Sequence, residues 1–507
     1  MRTLIAMLCC FLCSNLNAEQ RRPGHSYDRL NRLGLELAAT APETPLLKSG
    51  KVADSPASGR PLVQSKGAKK LRKRLNEMLK KQALGRVKVG IVIADARSGA
   101  VWARINGNEA LNPASTMKLF TSAIALDRLG PDYRFSTELL GHKDTLYLRG
   151  NGDPAFTVGA LTQLARKVEK GRHFKKLIVD PFAFGGGVLP PGYGAKKSRA
   201  CYRAAVGAVA LNSGCGVIGV FPTREGKKAL IRMEPPGYFF GVSNRTRSVS
   251  GKGSTLVVKT KHKALFTHAK ITGRIGRKQR NGVHFRYRVS HPPLATANTL
   301  IHLLKRRGII LNKTPEMGHT PSASRRIAIT KSAPLSALIS TMNKKSNNFI
   351  AEMLLRGMVQ PTKGAATWKA GQRIARSWIS KNLQVPASSF EYNNGSGLYS
   401  GGRFSARQVV ALLVHMNQHP ARLQYRASLS IAGRDGTLIN RLRGNNYAGR
   451  MVGKTGTLNN VSALSGYARN RRGLRLAFSI LMNETGGATT RMRKIQNQIA
   501  ALIIESK

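Results

Sequence analysis

Acidic side chains are scarce in this sequence. Asp and Glu number 23 against 84 Lys and Arg in 507 residues, so the formal net charge is +61. The excess runs along the whole chain, which excludes a neutral domain carrying one basic tail. A uniformly basic surface repels itself and raises encounter rates with polyanions. Anionic envelope polymers, lipid head groups and nucleic acid all fit that charge. A composition shared across a lineage, with no dedicated partner, is the competing explanation. No specific nucleic-acid partner is expected.

Other absences narrow the chemistry. The eleven histidines form no His-Glu-x-x-His pattern, which argues against a zinc peptidase. There is no Gly-x-Ser-x-Gly elbow and no phosphate-binding Gly-x-x-x-x-Gly-Lys loop; the glycine run at 184–188 (FGGGV) lacks the lysine. No metal or organic cofactor is expected. Past the N-terminus there is no long apolar run, so the mature protein is expected to be soluble or peripheral. Cysteine is sparse: Cys9, Cys10 and Cys13 cluster at the N-terminus, and only Cys201 and Cys215 remain. That pair is either one disulfide or two buried free thiols.

What is present begins with a targeting segment. Arg2 precedes the apolar stretch 4–13, and Ser14 to Ala18 turn small and polar. This is the shape of a secretory signal peptide cleaved after Ala18, an uncleaved interfacial anchor being the alternative. The run is shorter than the roughly 20 residues a spanning helix needs. The mature chain is therefore expected in the periplasm or cell envelope. Residues 19–67, rich in Pro, Ser, Gly and charge, read as an N-terminal linker with a short helix over 26–39.

Residues 68–132 read as the first part of a mixed domain. It has a helix over 68–82, a buried strand over 88–94 with a hairpin partner over 100–105, and a buried helix over 113–129. Residues 133–325 change character. Short strands at 145–148, 176–179, 216–221, 229–233, 254–260, 269–275 and 283–289 alternate apolar with basic residues, and one helix over 294–307 closes the region. This reads as one or two inserted β-rich modules. Residues 326–507 return to the mixed pattern, with helices over 334–343, 347–359, 367–381 and 405–416, strands over 450–457, 463–469 and 474–482, and a last helix from Met492. Two strands at the start and three at the end predict one α/β (α+β) domain split by the insert.

Three short strings carry chemistry. In Ser115-Thr116-Met117-Lys118, a serine and a lysine three apart share a helix face, so the amine can touch the hydroxyl. Serine needs a base to become a nucleophile, and a desolvated lysine can supply one. The neighbours Leu111, Ala114, Leu119, Phe120 and Ile124 are apolar, and a lysine among them needs a reason other than snorkelling. In Ser346-Asn347-Asn348, the hydroxyl can relay a proton and the Asn348 amide can grip a peptide carbonyl; alone this string is a helix cap. Lys454-Thr455-Gly456-Thr457 reads as an edge strand. Lys454 offers charge, Thr455 a hydroxyl for a carboxylate, and Gly456 close backbone approach. The backbone N–H groups of Ser115 and Thr457 suit an oxyanion hole.

These strings resemble the signatures of the D-alanyl-D-alanine carboxypeptidase/endopeptidase family, the low-molecular-mass class C penicillin-binding proteins. So do Leu146-Tyr147-Leu148-Arg149-Gly150 with Gly152-Asp153-Pro154, Cys201-Tyr202 with Ala210-Leu211-Asn212, Gly395-Ser396-Gly397-Leu398, and Gly433-Arg434-Asp435-Gly436-Thr437-Leu438. The resemblance covers residues 69–507. It implies a penicilloyl-serine transferase (β-lactamase/transpeptidase-like) fold, cleavage of peptidoglycan stem peptides, and inhibition by β-lactams. It implies Ser115 as nucleophile, Lys118 as base, Ser346 as relay, and Asn348, Lys454, Thr455, Gly456 and Thr457 as substrate-binding. It also implies Asp180 as an acid beside the substrate's diamino acid. Three features depart from the family pattern: Asn347 in place of Asp, Tyr399-Ser400 before the nearest arginine at Arg403, and the +61 charge. A β-lactamase and an inactive, basic envelope-binding protein on the same scaffold are the alternatives.

Overall fold

The computed structural model describes residues 61–171, 174–195, 199–263, 266–311, 314–359, 365–399 and 401–507. The expected signal segment with its three cysteines, the helix expected over 26–39, most of the expected linker, and Ser400 lie outside them.

Leu62 and Val63 of the expected linker lie against the first hairpin, with the Val63 N–H donating to the Val101 carbonyl at 2.8 Å. Helix α1 (Lys66–Lys80) starts two residues earlier than expected because the Ser65 hydroxyl caps it by accepting from Ala68 N. Strands β1 (Lys88–Asp95) and β2 (Val101–Ile105) form the expected antiparallel hairpin. In β1, Val89, Ile91 and Ile93 face one core, while Val92 and Ala94 face another. Burial on both faces explains why this strand is a continuous apolar run rather than an alternating one. A 3-10 turn (Ala114–Met117) leads into α2 (Lys118–Leu129), which ends at Gly130 with φ +79°.

The insert follows. Strands β3 (Ser136–His142) and β4 (Thr145–Gly150), helix α3 (Val158–Arg166) and strand β5 (Lys176–Asp180) come first. Next are β6 (Cys215–Phe221), β7 (Leu230–Glu234), β8 (Gly241–Val249), β9 (Val257–Lys263), β10 (Phe266–Gly276) and β11 (Val283–Arg288), then helix α4 (Pro292–Lys305), β12 (Glu316–Met317) and β13 (Arg325–Lys331). They form a five-stranded sheet ordered β12-β5-β4-β3-β13 and two three-stranded sheets, β11-β6-β7 and β8-β10-β9. Strand β13 pairs with β3, so this sheet runs past residue 325. Cys201 and Cys215 form a disulfide, with Cα atoms 5.8 Å apart.

The chain then returns to the first domain through helices α5 (Leu335–Lys344), α6 (Asn348–Gly357) and α7 (Trp368–Leu383), strands β14 (Glu391–Tyr392) and β15 (Gly402–Arg403), and helices α8 (Ala406–Gln418) and α9 (Arg422–Ala427). Strands β16 (Ser430–Ile431), β17 (Met451–Leu458), β18 (Val461–Arg469) and β19 (Arg475–Asn483) and helix α10 (Thr489–Glu505) complete it. The main sheet is ordered β16-β17-β18-β19-β1-β2, so the N-terminal hairpin adds to the C-terminal strands across the insert. One face carries the core built from α2, α5, α6, α7 and α8, and the other carries α1 and α10. Strand β17 is not an edge strand throughout. β16 pairs with Val452 and Gly453 only, and that side of β17 is left open from Lys454 onward.

Candidate active site

Ser115 sits in the 3-10 turn and Lys118 opens α2, so the expected one-turn spacing holds. The turn is tight: Ala114 has φ +45°, in the left-handed region. Two glycines, Gly397 in a loop and Gly456 on β17, let other segments close on it. A Cβ on Gly397 would lie 1.9 Å from the Ala114 carbonyl oxygen, and one on Gly456 2.7 Å from that of Pro113. Those approaches require glycine.

The Lys118 side chain is fully buried, with Nζ 2.9 Å from Ser115 Oγ, 2.8 Å from Asn348 Oδ1 and 2.7 Å from the Ser396 carbonyl. Burial, reinforced by the Lys454 charge, holds its pKa well below the usual lysine range. A neutral amine has two N–H bonds and one lone pair. Asn348 Oδ1 and the Ser396 oxygen can only accept, so they take the two N–H bonds. The lone pair is then left for the Ser115 hydroxyl proton.

Ser346 precedes α6 with φ +52°. The buried Lys454 Nζ donates to its Oγ at 2.9 Å and to the Thr455 carbonyl at 2.8 Å. Burial lowers the Lys454 pKa to about 7. Asn347, where the family pattern has Asp, caps α6 by accepting from Ile350 N at 3.1 Å. A carboxamide oxygen serves that purpose as a carboxylate would. The Asn348 Nδ2 group donates to the Tyr202 carbonyl of the insert at 3.0 Å. Thr455 Oγ1 donates to Thr437 Oγ1 at 2.8 Å, and Arg493 donates to Thr457 Oγ1 at 3.3 Å. Ser115, Lys118, Ser346, Asn348 and the Lys454–Thr457 strand are thus brought to one place.

Asp180 is not part of that cluster. Its oxygens accept from Phe182 N at 3.3 Å and Thr320 N at 2.8 Å, and it lines a cavity of about 520 Å³ that none of the catalytic side chains line. Arg403 donates to the Ala110 carbonyl.

Sequence reasoning missed Glu352. It lies one turn after Asn348 on α6, is 1% exposed, and accepts from Gly395 N at 3.1 Å and Ser396 N at 3.0 Å. The Tyr193 hydroxyl of the insert donates to it at 3.3 Å. Glu352 thereby holds the N–H groups of Gly395 and Ser396, while the peptide whose carbonyl faces Lys118 is held at its Gly397 N–H by Asn394 Oδ1 at 2.9 Å. The signal was available: an acid in the apolar run from Phe349 to Leu355.

The model of the D-Ala-D-Ala carboxypeptidase 3 (S13) family matches residues 71–505. A D-alanyl-D-alanine carboxypeptidase of an Actinomadura species is 31% identical, the alignment covering 94% of this chain and 91% of that protein. The D-alanyl-D-alanine carboxypeptidase DacB of Haemophilus influenzae is 25% identical over 78% of this chain and 85% of its own length. The crystal structure of penicillin binding protein 4 from the same organism superposes with a TM-score of 0.69 at 22% identity, covering 84% of this chain and 99% of that one, a likeness of fold. The family match spans both halves of the main sheet and the insert between them, and the chain therefore belongs to the D-Ala-D-Ala carboxypeptidase 3 (S13) family of serine-type peptidases.

Proposed function

We propose that this chain hydrolyses D-Ala-D-Ala bonds of peptidoglycan stem peptides through an acyl-enzyme on Ser115. Lys118 takes the Ser115 hydroxyl proton as Oγ attacks the carbonyl carbon of the penultimate D-Ala. The backbone N–H groups of Ser115 and Thr457 stabilise the oxyanion. Ser346, bonded to Lys454, passes a proton to the leaving amine as the C–N bond breaks and D-Ala departs. Asn348 holds the substrate amide. Lys454 and Thr455 face the terminal carboxylate, and Gly456 admits the substrate backbone. Water then attacks the ester and regenerates Ser115. Asp180, bonded to two backbone N–H groups of the insert, lies outside the cluster that carries these steps.

The reading rests above all on the Lys118 amine, whose two carbonyl acceptors orient its lone pair toward Ser115. We assign residues 68–132 and 326–507 to the catalytic domain and 133–325 to the insert, whose sheet extends through Lys331. We assign the protein to the cell envelope, where its substrate lies and where a disulfide such as Cys201–Cys215 persists. Among the described residues, no helix is long and apolar enough to cross a membrane.

The test is intact mass after incubation with benzylpenicillin, beside Ser115→Ala. A stable adduct on the unsubstituted protein alone is expected. Rapid drug turnover would instead favour a β-lactamase, and no reaction at all an inactive binding scaffold.

A further inference from the structure

The sheet β8-β10-β9 is one-sided. Thr246, Ser248, Val258, Thr260, Thr267, Ala269, Ile271 and Ile275 are buried against the insert. The opposite parity carries Arg245 and Arg247 on β8, Lys259 and Lys261 on β9, and Lys270 and Arg274 on β10, all exposed. The register sets like charges directly across from one another: Lys270 faces Lys259, and Arg274 faces Arg247. Cross-strand neighbours lie about 5 Å apart, and like charges in that position destabilise a sheet. From Pro235 to Pro315 the sequence contains no Asp or Glu, so no nearby carboxylate in this segment relieves the repulsion. None of the ion pairs among the described residues involves these six cations.

We propose that this face is a docking surface for a linear phosphate polymer, held by charge alone. The closest of these cations lie about 5 Å apart across strands, in the pairs Lys270–Lys259 and Arg274–Arg247, and about 6.6 Å apart along them, in Arg245–Arg247 and Lys259–Lys261, a density of positive charge that suits a chain of closely repeated anions. Phe266, the Phe on the same parity, stacks on Phe240 with ring centroids 4.0 Å apart. Beyond it, the described part of this face carries one isolated exposed apolar side chain, Val257, and no Trp, Tyr or second Phe, too little for a lipid wedge or a base-stacking platform, which favours the phosphate polymer over both. The surface belongs to the insert, and its function is separate from catalysis at Ser115.

The test uses the full chain with inorganic polyphosphate and poly(glycerol phosphate) as probes, the second reporting an envelope source. Single-stranded DNA and phosphatidylglycerol vesicles are compared at equal phosphate concentration, from about 50 to 200 mM salt. The variant Lys259→Glu/Arg274→Glu places each new carboxylate opposite a cation, at Lys270 and Arg247. Its thermal stability is expected to hold or rise, its benzylpenicillin acylation to stay unchanged, and its polymer affinity to fall at least about tenfold at the lowest salt, with a salt slope about two smaller. Lys369→Glu/Arg373→Glu on α7 makes the same change in net charge and is expected to retain affinity. An equal loss in that control would mean that net charge alone binds the polymer, and would overturn the proposal. So would tighter binding to single-stranded DNA or to the vesicles than to either polymer.

Discussion

At the scale of the residue, the site turns on two buried lysines that need opposite charge states. Lys118 acts as a base only when neutral, so acylation is lost as pH falls through its depressed pKa. Lys454 attracts a carboxylate only when charged, and burial has lowered its pKa to about 7. Its contribution to substrate capture is lost as pH rises through that value. The profile of kcat/KM, which reports the free enzyme, is expected to be bell-shaped with an alkaline limb near 7. The limb in kcat should lie higher, because a bound carboxylate favours the charged lysine. Glu352 adjusts the acid side: its negative charge favours the charged form of Lys118. Glu352→Gln removes that charge and leaves one acceptor oxygen for two backbone N–H groups. The acid limb of acylation should move to lower pH while the plateau rate falls. A limb that stays in place would mean that Glu352 carries no charge beside Lys118, and that its part is only to hold the Gly395–Ser396 peptide.

At the scale of the element, the disulfide bears on the site as well as on stability. It ties the turn Cys201–Arg203 to the start of β6, and the Tyr202 carbonyl in that turn accepts from Asn348. Closing a loop with a sequence separation of 14 contributes about 3 kcal/mol in the chain-entropy account. Cys201→Ser/Cys215→Ser should therefore lower the unfolding free energy by about that amount in denaturant titration. It should also slow benzylpenicillin acylation, as Asn348 loses a fixed partner. Unchanged acylation would mean that the turn keeps its place without the bond. The elements themselves were unevenly legible. The main-sheet strands and the helices around Ser115 and Ser346 could be read because they bury long apolar runs or stripes. Strand β8 could not, because its two fully buried residues, Thr246 and Ser248, are hydroxylic. Thr246 accepts from Ala229 N at 3.0 Å, and Ser248 from Thr223 N at 2.9 Å. Polar inward residues satisfied by backbone leave no hydrophobic alternation to detect. Helix α3 was missed for a different reason: at nine residues it is too short to show a sustained period. In the site, the three strings were visible because each side chain has chemistry at fixed spacing. The Ser396 carbonyl that orients Lys118 is backbone, which no residue pattern reveals.

At the scale of the whole molecule, the charge of +61 acts on folding as well as on partners. Native ion pairs cannot balance it: 84 cationic side chains meet only 23 acidic ones. Compaction therefore brings like charges together, and the folded state carries a self-repulsion that the expanded chain largely escapes. Added salt shortens the screening length from about 30 Å at 0.01 M to about 10 Å at 0.1 M. Over that range the repulsion between distant surface charges is removed, while burial in the cores on both faces of the main sheet is untouched. The melting temperature should rise between those two salt concentrations, measured by calorimetry in a buffer without multivalent anions. The rise should be smaller for Lys259→Glu/Arg274→Glu, which has already lost part of the repulsion. A melting temperature that falls with salt would mean that surface ion pairs such as Arg74–Glu505 and Lys88–Glu484 outweigh the excess charge. Exposed pairs of that kind are largely screened by solvent and contribute too little to reverse the sign against an imbalance of this size.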